Sequence, residues 1–205
     1  LDRHDNYCIL THRRPDGDTV GSAAALCLGL RSIGKKANVL WNPETTERYL
    51  PLVDGLTVKE PGDGDLLIAV DVAEDHMLPK AHLYLKNSVD LRIDHHGGNR
   101  QFTPRALVDS ESAACAEIIW DILDELGLEM DEKMAEAIYV GTATDTGCFK
   151  YASTDAGCVI PPDPVYIADA ISLLISEGIF TEATMKMAAL KMYDVVIPDR
   201  FFIRT

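Results

Sequence analysis

Tyr7-Cys8-Ile9-Leu10-Thr11-His12-Arg13-Arg14-Pro15-Asp16-Gly17-Asp18-Thr19 is the stretch on which the reading of the chain turns. Tyr7 to Thr11 is a short apolar run ending in polar residues, the pattern of a buried strand. Thr19 to Leu30 is rich in Ala and Leu and leads to Gly34, the pattern of a helix and its stop. Between them His12, Asp16 and Asp18 place one imidazole and two carboxylates on a turn that Pro15 and Gly17 allow to fold back. Alone, the segment reads more readily as an Asx-type turn in which Asp18 or Thr19 caps the next helix than as a metal site.

Working outward, the same alternation repeats. Ala37 to Leu40 reads as a second strand, Leu66 to Val70 as a third ending at Asp71, and Val89 to Ile93 as a fourth running into Asp94-His95-His96. Glu111 to Leu126 is an amphipathic helix stopped by Gly127, and Asp131 to Ala143 a helix with an acid-rich first turn. Further helices are expected near Val165 to Ser176 and Glu182 to Tyr193, after a loop marked by Pro161, Pro162 and Pro164. Pro198 to Thr205 looks like the start of a linker. Strands separated by helices give an α/β fold of right-handed βαβ units around a parallel sheet. Such sheets bind ligands beyond the carboxyl ends of their strands. Three strands run into charged clusters (His12 to Asp18, Asp71, and Asp94 to His96), so all three clusters are expected on one edge.

Composition narrows the function. The chain has 205 residues, of which 47% are hydrophobic, enough for one large domain or one domain and part of another. With 19 basic and 33 acidic residues the net charge is −14, which argues against a binder of duplex nucleic acid. No apolar run reaches membrane-spanning length and no secretory signal is visible, so a cytoplasmic location is expected. The lack of an initiator Met leads us to expect further residues upstream. The five cysteines (Cys8, Cys27, Cys115, Cys148, Cys158) show no C-x-x-C spacing, against a disulfide framework or structural zinc; Cys8, Cys27 and Cys115 read as core. His4, His76 and His82 read as surface residues, and Trp41 and Trp120 as core or interface packing. Arg13 and Arg14 read as either phosphate contacts or an exposed loop pair.

The remaining motifs are modest singly. Asp71 alone reads as a loop cap. Side chains of Asp94, His95 and His96 diverge, so one can ligate, one can orient a ligand and one can face a substrate. Ala143-Thr144-Asp145-Thr146-Gly147 reads as a helix end. In order, however, His-x-x-x-Asp-x-Asp, a strand-end Asp, Asp-His-His and Thr-Asp-Thr-Gly resemble the DHH phosphoesterases over about residues 7 to 155. Pro15-Asp16-Gly17-Asp18 and Gly21-Ser22-Ala23 are most similar to the branch of oligoribonucleases and 3′-phosphoadenosine 5′-phosphate phosphatases; the superfamily's pyrophosphatases usually carry Thr where Gly17 stands.

That resemblance implies a parallel-sheet domain with helices on both faces, spanning residues 1–155, followed by a helical extension over 156–205. It implies one metal held by His12, Asp16 and Asp71, and a second held by Asp18, Asp71, His95 and Asp145. Asp71 then bridges the pair, Asp94 orients from behind, and His96 faces the substrate phosphate. Asn99 and Arg100 are candidate substrate contacts and Lys150 a weaker one. The six ligands carry −4, which two divalent cations neutralise, whereas without cations the carboxylates repel. Imidazole and carboxylate without thiolate suit Mn²⁺, with Mg²⁺ or Co²⁺ as alternatives. Two such ions about 3.5–4 Å apart activate a water and stabilise phosphoryl oxygens; either His96 or water then protonates the leaving oxygen. The implied activity is phosphoester hydrolysis of short nucleotides by Asp71, Asp94 and His96 with the metals. Pyrophosphatase, polyphosphatase, cyclic-dinucleotide phosphodiesterase and non-catalytic nucleotide sensor are the rival readings. A homodimer fits these expectations; a membrane partner does not. Members of this branch carry a glycine-rich, basic C-terminal domain, yet Gly178 is the sole glycine after Cys158, so the substrate-selecting half is expected to be missing.

Overall fold

The computed structural model describes residues 4–97 and 101–148. Six strands form one sheet in the order β3-β2-β1-β4-β5-β6, every neighbouring pair parallel. They are β1 (Asn6–Leu10), β2 (Lys36–Leu40), β3 (Thr57–Val58), β4 (Leu66–Val70), β5 (Leu91–Asp94) and β6 (Arg105–Val108). The helices are α1 (Gly17–Ser32), α2 (Cys115–Glu125) and α3 (Glu132–Asp145).

The strands alternate between two cores. Tyr7, Ile9, Ile68, Val70 and Ile93 face α1, α2, α3 and the 3₁₀ segment Glu47–Val53. Cys8, Leu10, Leu67 and Ala69 face the other way, onto Leu78, Leu85 and Val89 around the 3₁₀ segment Lys80–Leu85. Burial on both sides is why these strands read as unbroken apolar runs. From β1 the chain moves to β2 and β3 on one side, then returns to β4 on the other. The topological switch point therefore lies between the carboxyl ends of β1 and β4, where such sheets form their binding crevice.

Helix α1 is buried on nearly every side from Gly17 to Leu30, because it is held between the sheet and the other two helices. Its Ala and Gly residues permit that. A Cβ at Gly21 would run into the Ala137 carbonyl of α3, and one at Gly141 would meet the Ala116 side chain of α2 at 2.6 Å.

Several boundaries differ from the sequence expectation, for local reasons. Helix α1 starts at Gly17 rather than Thr19 because Asp16, not Asp18 or Thr19, is its cap, accepting from the amides of Asp18 and Thr19. Strand β5 starts at Leu91 because the Asp90 carboxylate takes the Leu67 amide at 2.9 Å. Helix α2 starts at Cys115, four residues late, because Asp109 folds the preceding segment by accepting from Glu111 N and Ser112 Oγ. Strands β3 and β6 were not expected: β3 has two residues, and all four residues of β6 are exposed, so no burial pattern marks it. His82 is buried at 7% exposure, not on the surface, and desolvation lowers its pKa. Trp41 is 40% exposed rather than in the core, whereas Trp120 does pack against the core. Cys8, Cys27 and Cys115 are buried as expected. The helices expected after residue 160, the proline loop, Cys158 and the linker fall outside the described residues. No helix among the described residues is long and apolar enough to cross a membrane.

Close packing of α1 on α3 sets a first prediction. Gly21→Ala drives a methyl against a backbone carbonyl that cannot swing aside, so it should destabilise by about 1–3 kcal/mol. In a chain of this size that lowers the melting temperature by roughly 2–12 °C, which a thermal melt measures.

Candidate metal centre

His12 leaves β1 tied to three other strand and helix ends. Asn42 Nδ2, just past β2, donates to Thr11 Oγ1 and to the His12 carbonyl, both at 2.9 Å. The His12 amide donates to Thr19 Oγ1 at 3.3 Å, and that hydroxyl donates to the Val70 carbonyl at the end of β4. His12 Nδ1 stands 2.7 Å from the Arg13 carbonyl. A carbonyl only accepts, so Nδ1 carries the proton. Nε2 is thereby aimed at Asp16 Oδ1, 3.5 Å away, and Asp71 Oδ2, 3.3 Å away. Asp16 both caps α1 and faces His12, so one carboxylate does both.

Asp18 is fully buried. Its carboxylate accepts from the first amides of α2, Cys115 N at 2.7 Å and Ala116 N at 2.9 Å, and from Ser22 Oγ at 3.2 Å. The unsatisfied amides and positive end of α2 thus compensate a charge that has left water. Nothing in the sequence links Asp18 to residues nearly a hundred positions away; the small residues Ala113 to Ala116, which allow the approach, were the available hint.

Asp71 follows β4 with φ of 55°, in the left-handed region that a non-glycine residue adopts at a cost of roughly 1–2 kcal/mol. Its amide donates to the Ile93 carbonyl at 2.9 Å. Strain of this kind collects at functional sites. His95 Nδ1 lies 3.2 Å from the Ser112 carbonyl, so again Nε2 is the outward atom. It faces Asp145 Oδ2 at 3.5 Å, Asp71 Oδ1 at 3.7 Å and Asp18 Oδ2 at 3.8 Å. Asp145 is the last residue of α3. It reaches the site because a glycine stands at position 17, where a Cβ would run into the Thr144 side chain.

The six expected ligand residues therefore converge. His12, Asp16 and Asp71 form one nest and Asp18, His95 and Asp145 another, the potential ligand atoms within each lying within 4.8 Å of one another. Asp71 stands between the two. His95 Nε2 and Asp71 Oδ1 are buried there without a hydrogen-bond partner, as expected of atoms that await a cation. Asp71, His95 and His96 make a third grouping. In that grouping, however, His96 Nδ1 sits 2.8 Å from Asp94 Oδ1, which also accepts the His96 amide at 3.1 Å. A nitrogen whose proton is directed at a carboxylate has no lone pair for a metal.

Electrostatics reflect the crowding. Burial pushes the Asp18 carboxyl well up, helped by the charges of Asp71 and Asp145 and opposed by the α2 amides. Burial also raises Asp145. Burial disfavours a proton on His12, but Asp16 and Asp71 outweigh it and hold its pKa at about 10. Asp71 and then Asp94 hold His96 at about 10 against burial. Asp16 is pushed up by burial and brought below the usual range by His12. Arg13 and Arg14 are exposed on the loop beyond His12. Asn99, Arg100 and Lys150 lie outside the described residues.

Known proteins share this arrangement of sequence and fold. A bifunctional oligoribonuclease and PAP phosphatase NrnA from Thermus thermophilus is 34% identical over 148 residues, 71% of this chain and 45% of its own. A protein of the same description from Bacillus subtilis is 28% identical over 156 residues, 74% of this chain and 49% of its own. The crystal structure of an exopolyphosphatase-related protein from Bacteroides fragilis aligns with a TM-score of 0.59 at 25% identity, covering 97% of this chain and 58% of that one. The chain spans about half the length of the curated relatives it matches. The pattern of the DHH family, N-terminal domain, runs from residue 6 to residue 142, through both nests except Asp145, and the chain belongs to that family.

Proposed function

We propose that this chain supplies the metal-dependent hydrolytic half of a phosphoesterase acting on short nucleotides: oligoribonucleotides, 3′-phosphoadenosine 5′-phosphate or linear dinucleotides. The observation that carries the reading is the pair of nests around Asp71, each pairing carboxylates with an outward-facing imidazole Nε2. The substrate class follows the descriptions of the relatives, which name oligoribonuclease and PAP phosphatase activity.

The donor set fits two divalent cations. Four carboxylates and two neutral imidazoles bring −4, and the orphaned His95 Nε2 and Asp71 Oδ1 are the atoms a cation would satisfy. His12, Asp16 and Asp71 would hold one, Asp18, Asp71, His95 and Asp145 the other, with Mn²⁺ preferred for this oxygen-and-nitrogen set. Bound there, the pair would acidify a water and neutralise charge on the phosphoryl oxygens. The chain's own residues do the rest. Arg13 and Ser112 carbonyls fix the His12 and His95 tautomers; α1 and α2 amides keep Asp16 and Asp18 in place. His96, half-exposed and oriented by Asp94, is the imidazole that meets the substrate phosphate. Asn99 and Arg100, with Lys150 more weakly, are proposed to add further phosphate contacts.

Hydrolysis of 5′-phosphorylated diadenylate should require Mn²⁺, stop in excess chelator and return on readdition. Full turnover in chelator, with metal absent by elemental analysis, sinks the reading.

The raised pKa of His12, about 10, gives a second expectation. That imidazole holds a proton near neutral pH in the metal-free site, so a cation must displace it. Mn²⁺ uptake should release protons, and affinity should fall as pH falls. Titration calorimetry at pH 7.5 in buffers of different ionisation enthalpy counts the protons.

Two substitutions separate the roles. Asp71→Ala should weaken both metals together. His96→Ala should keep metal content near normal and lower turnover on the order of 10²-fold. Bound metal and rate, measured on both variants, decide; metal loss in His96→Ala would show that the two adjacent histidines are assigned the wrong way round.

A further inference from the structure

Arg92 is the only Arg or Lys buried among the described residues, at 3% exposure. It lies on β5 two positions before Asp94, so the two side chains leave the same face of the strand. That face is the one packed by Phe102, whose ring lies 5.8 Å from the guanidinium carbon. Arg92 Nη1 donates to the Ala73 carbonyl at 2.6 Å and stands 3.8 Å from Asp94 Oδ2. Ala73 is two residues beyond Asp71, in the segment that leaves the strained turn. Arg92 Nε is buried with no hydrogen-bond partner.

A purely structural position would not favour this group. A buried guanidinium with an unmet donor is held less comfortably than an apolar side chain of the same length. What it does provide is a fixed positive charge behind Asp94. Asp94 Oδ1 is already committed to His96, through both the amide and Nδ1, and Asp94 is fully buried. Without Arg92, that carboxylate would lose the cation behind it while staying close to the acids of the metal nests.

We infer that Arg92 is a positioning residue: it anchors Asp94 on one side and the Ala73 turn on the other, so that Asp94 presents His96 to the substrate phosphate. Arg92, Asp94 and His96 form a chain leading from the far face of the sheet to the site. This rests on the reading of His96 as the phosphate-facing imidazole.

The test is a double-mutant cycle on the Mn²⁺-loaded full chain with 5′-phosphorylated diadenylate. Arg92→Gln should lower kcat/KM by about 10–100-fold, the usual effect of a residue supporting a ligand from behind, with bound metal near wild type. In the His96→Ala background the same substitution should cost less than about threefold, because two residues acting through one contact are not additive. Arg92→Lys, which keeps the charge, should recover most of the loss and serves also if Arg92→Gln folds poorly. A readout independent of turnover is the His96 Nδ1 proton in imidazole NMR. It should be protected from exchange in wild type and in Arg92→Lys, and exposed in Arg92→Gln. Equal losses in both backgrounds, or a protected proton in Arg92→Gln, overturns the inference. A chain that hydrolyses nothing while the NMR pattern holds would instead count against the proposed function alone.

Discussion

Convergence of four carboxylates, two of them almost wholly buried, is the constraint on which the rest of this structure depends. Two like charges about 5 Å apart repel by roughly 3 kcal/mol at an effective dielectric of about 20, and Asp18 and Asp71 are almost wholly withdrawn from solvent. Each acid has its own compensation. Asp16 accepts from the first amides of α1 and Asp18 from the first amides of α2, so two helix N-termini point at one crevice. His12 and His95 stand across from them. Asp94, one layer back, has Arg92 and His96. Asp71 has the least: a left-handed backbone, an orphaned oxygen, and imidazole nitrogens of His12, His96 and His95 at 3.3, 3.4 and 3.7 Å. The residue standing between the two nests is the one the protein alone leaves least satisfied.

Packing serves that convergence. Asp18 and Asp145 can share a centre only because the start of α1 and the end of α3 touch, and Gly17 leaves room for Thr144 there. Deeper in, Gly21 lets α1 lie on the α3 backbone and Gly141 lets α3 lie on Ala116. A helix that is buried all round, like α1, has no polar face to give to solvent. The glycines and alanines that make α1 look featureless in sequence are what bring the charges together.

Much of this was legible in the sequence. Strand β4 was read at its observed bounds, and the shared edge followed from three strands running into charged residues. The six acid and histidine positions brought together were those the family-like order pointed to. What escaped has physical causes. Two-residue β3 and wholly exposed β6 carry no burial pattern, and the late start of α2 depends on an Asp109 side-chain turn that periodicity does not register. His82 looked like a surface residue because nothing local to it signals the packing of the 3₁₀ segment over the sheet. Compensating groups were the least visible: Ser22, the α2 amides and Arg92 act on Asp18 or Asp94 through contacts made only by the folded chain.

His95 and His96 show how far such contacts, rather than residue type, decide chemistry. The two rings are sequence neighbours, with centroids 4.4 Å apart and planes at 61°. His95 Nδ1 meets a backbone carbonyl, which fixes the proton there without adding a full negative charge. Its Nε2 therefore keeps a lone pair for the acids' common centre. His96 Nδ1 meets a carboxylate instead, which draws the ring toward its cationic form and makes it a donor. Under the proposed function, one histidine would bind a cation and the next would meet an anion. A phosphoester held against bound metals would call for both, positive charge on its oxygens and a hydrogen-bond donor. The divergence of adjacent side chains at the end of β5 supplies both directions from consecutive residues.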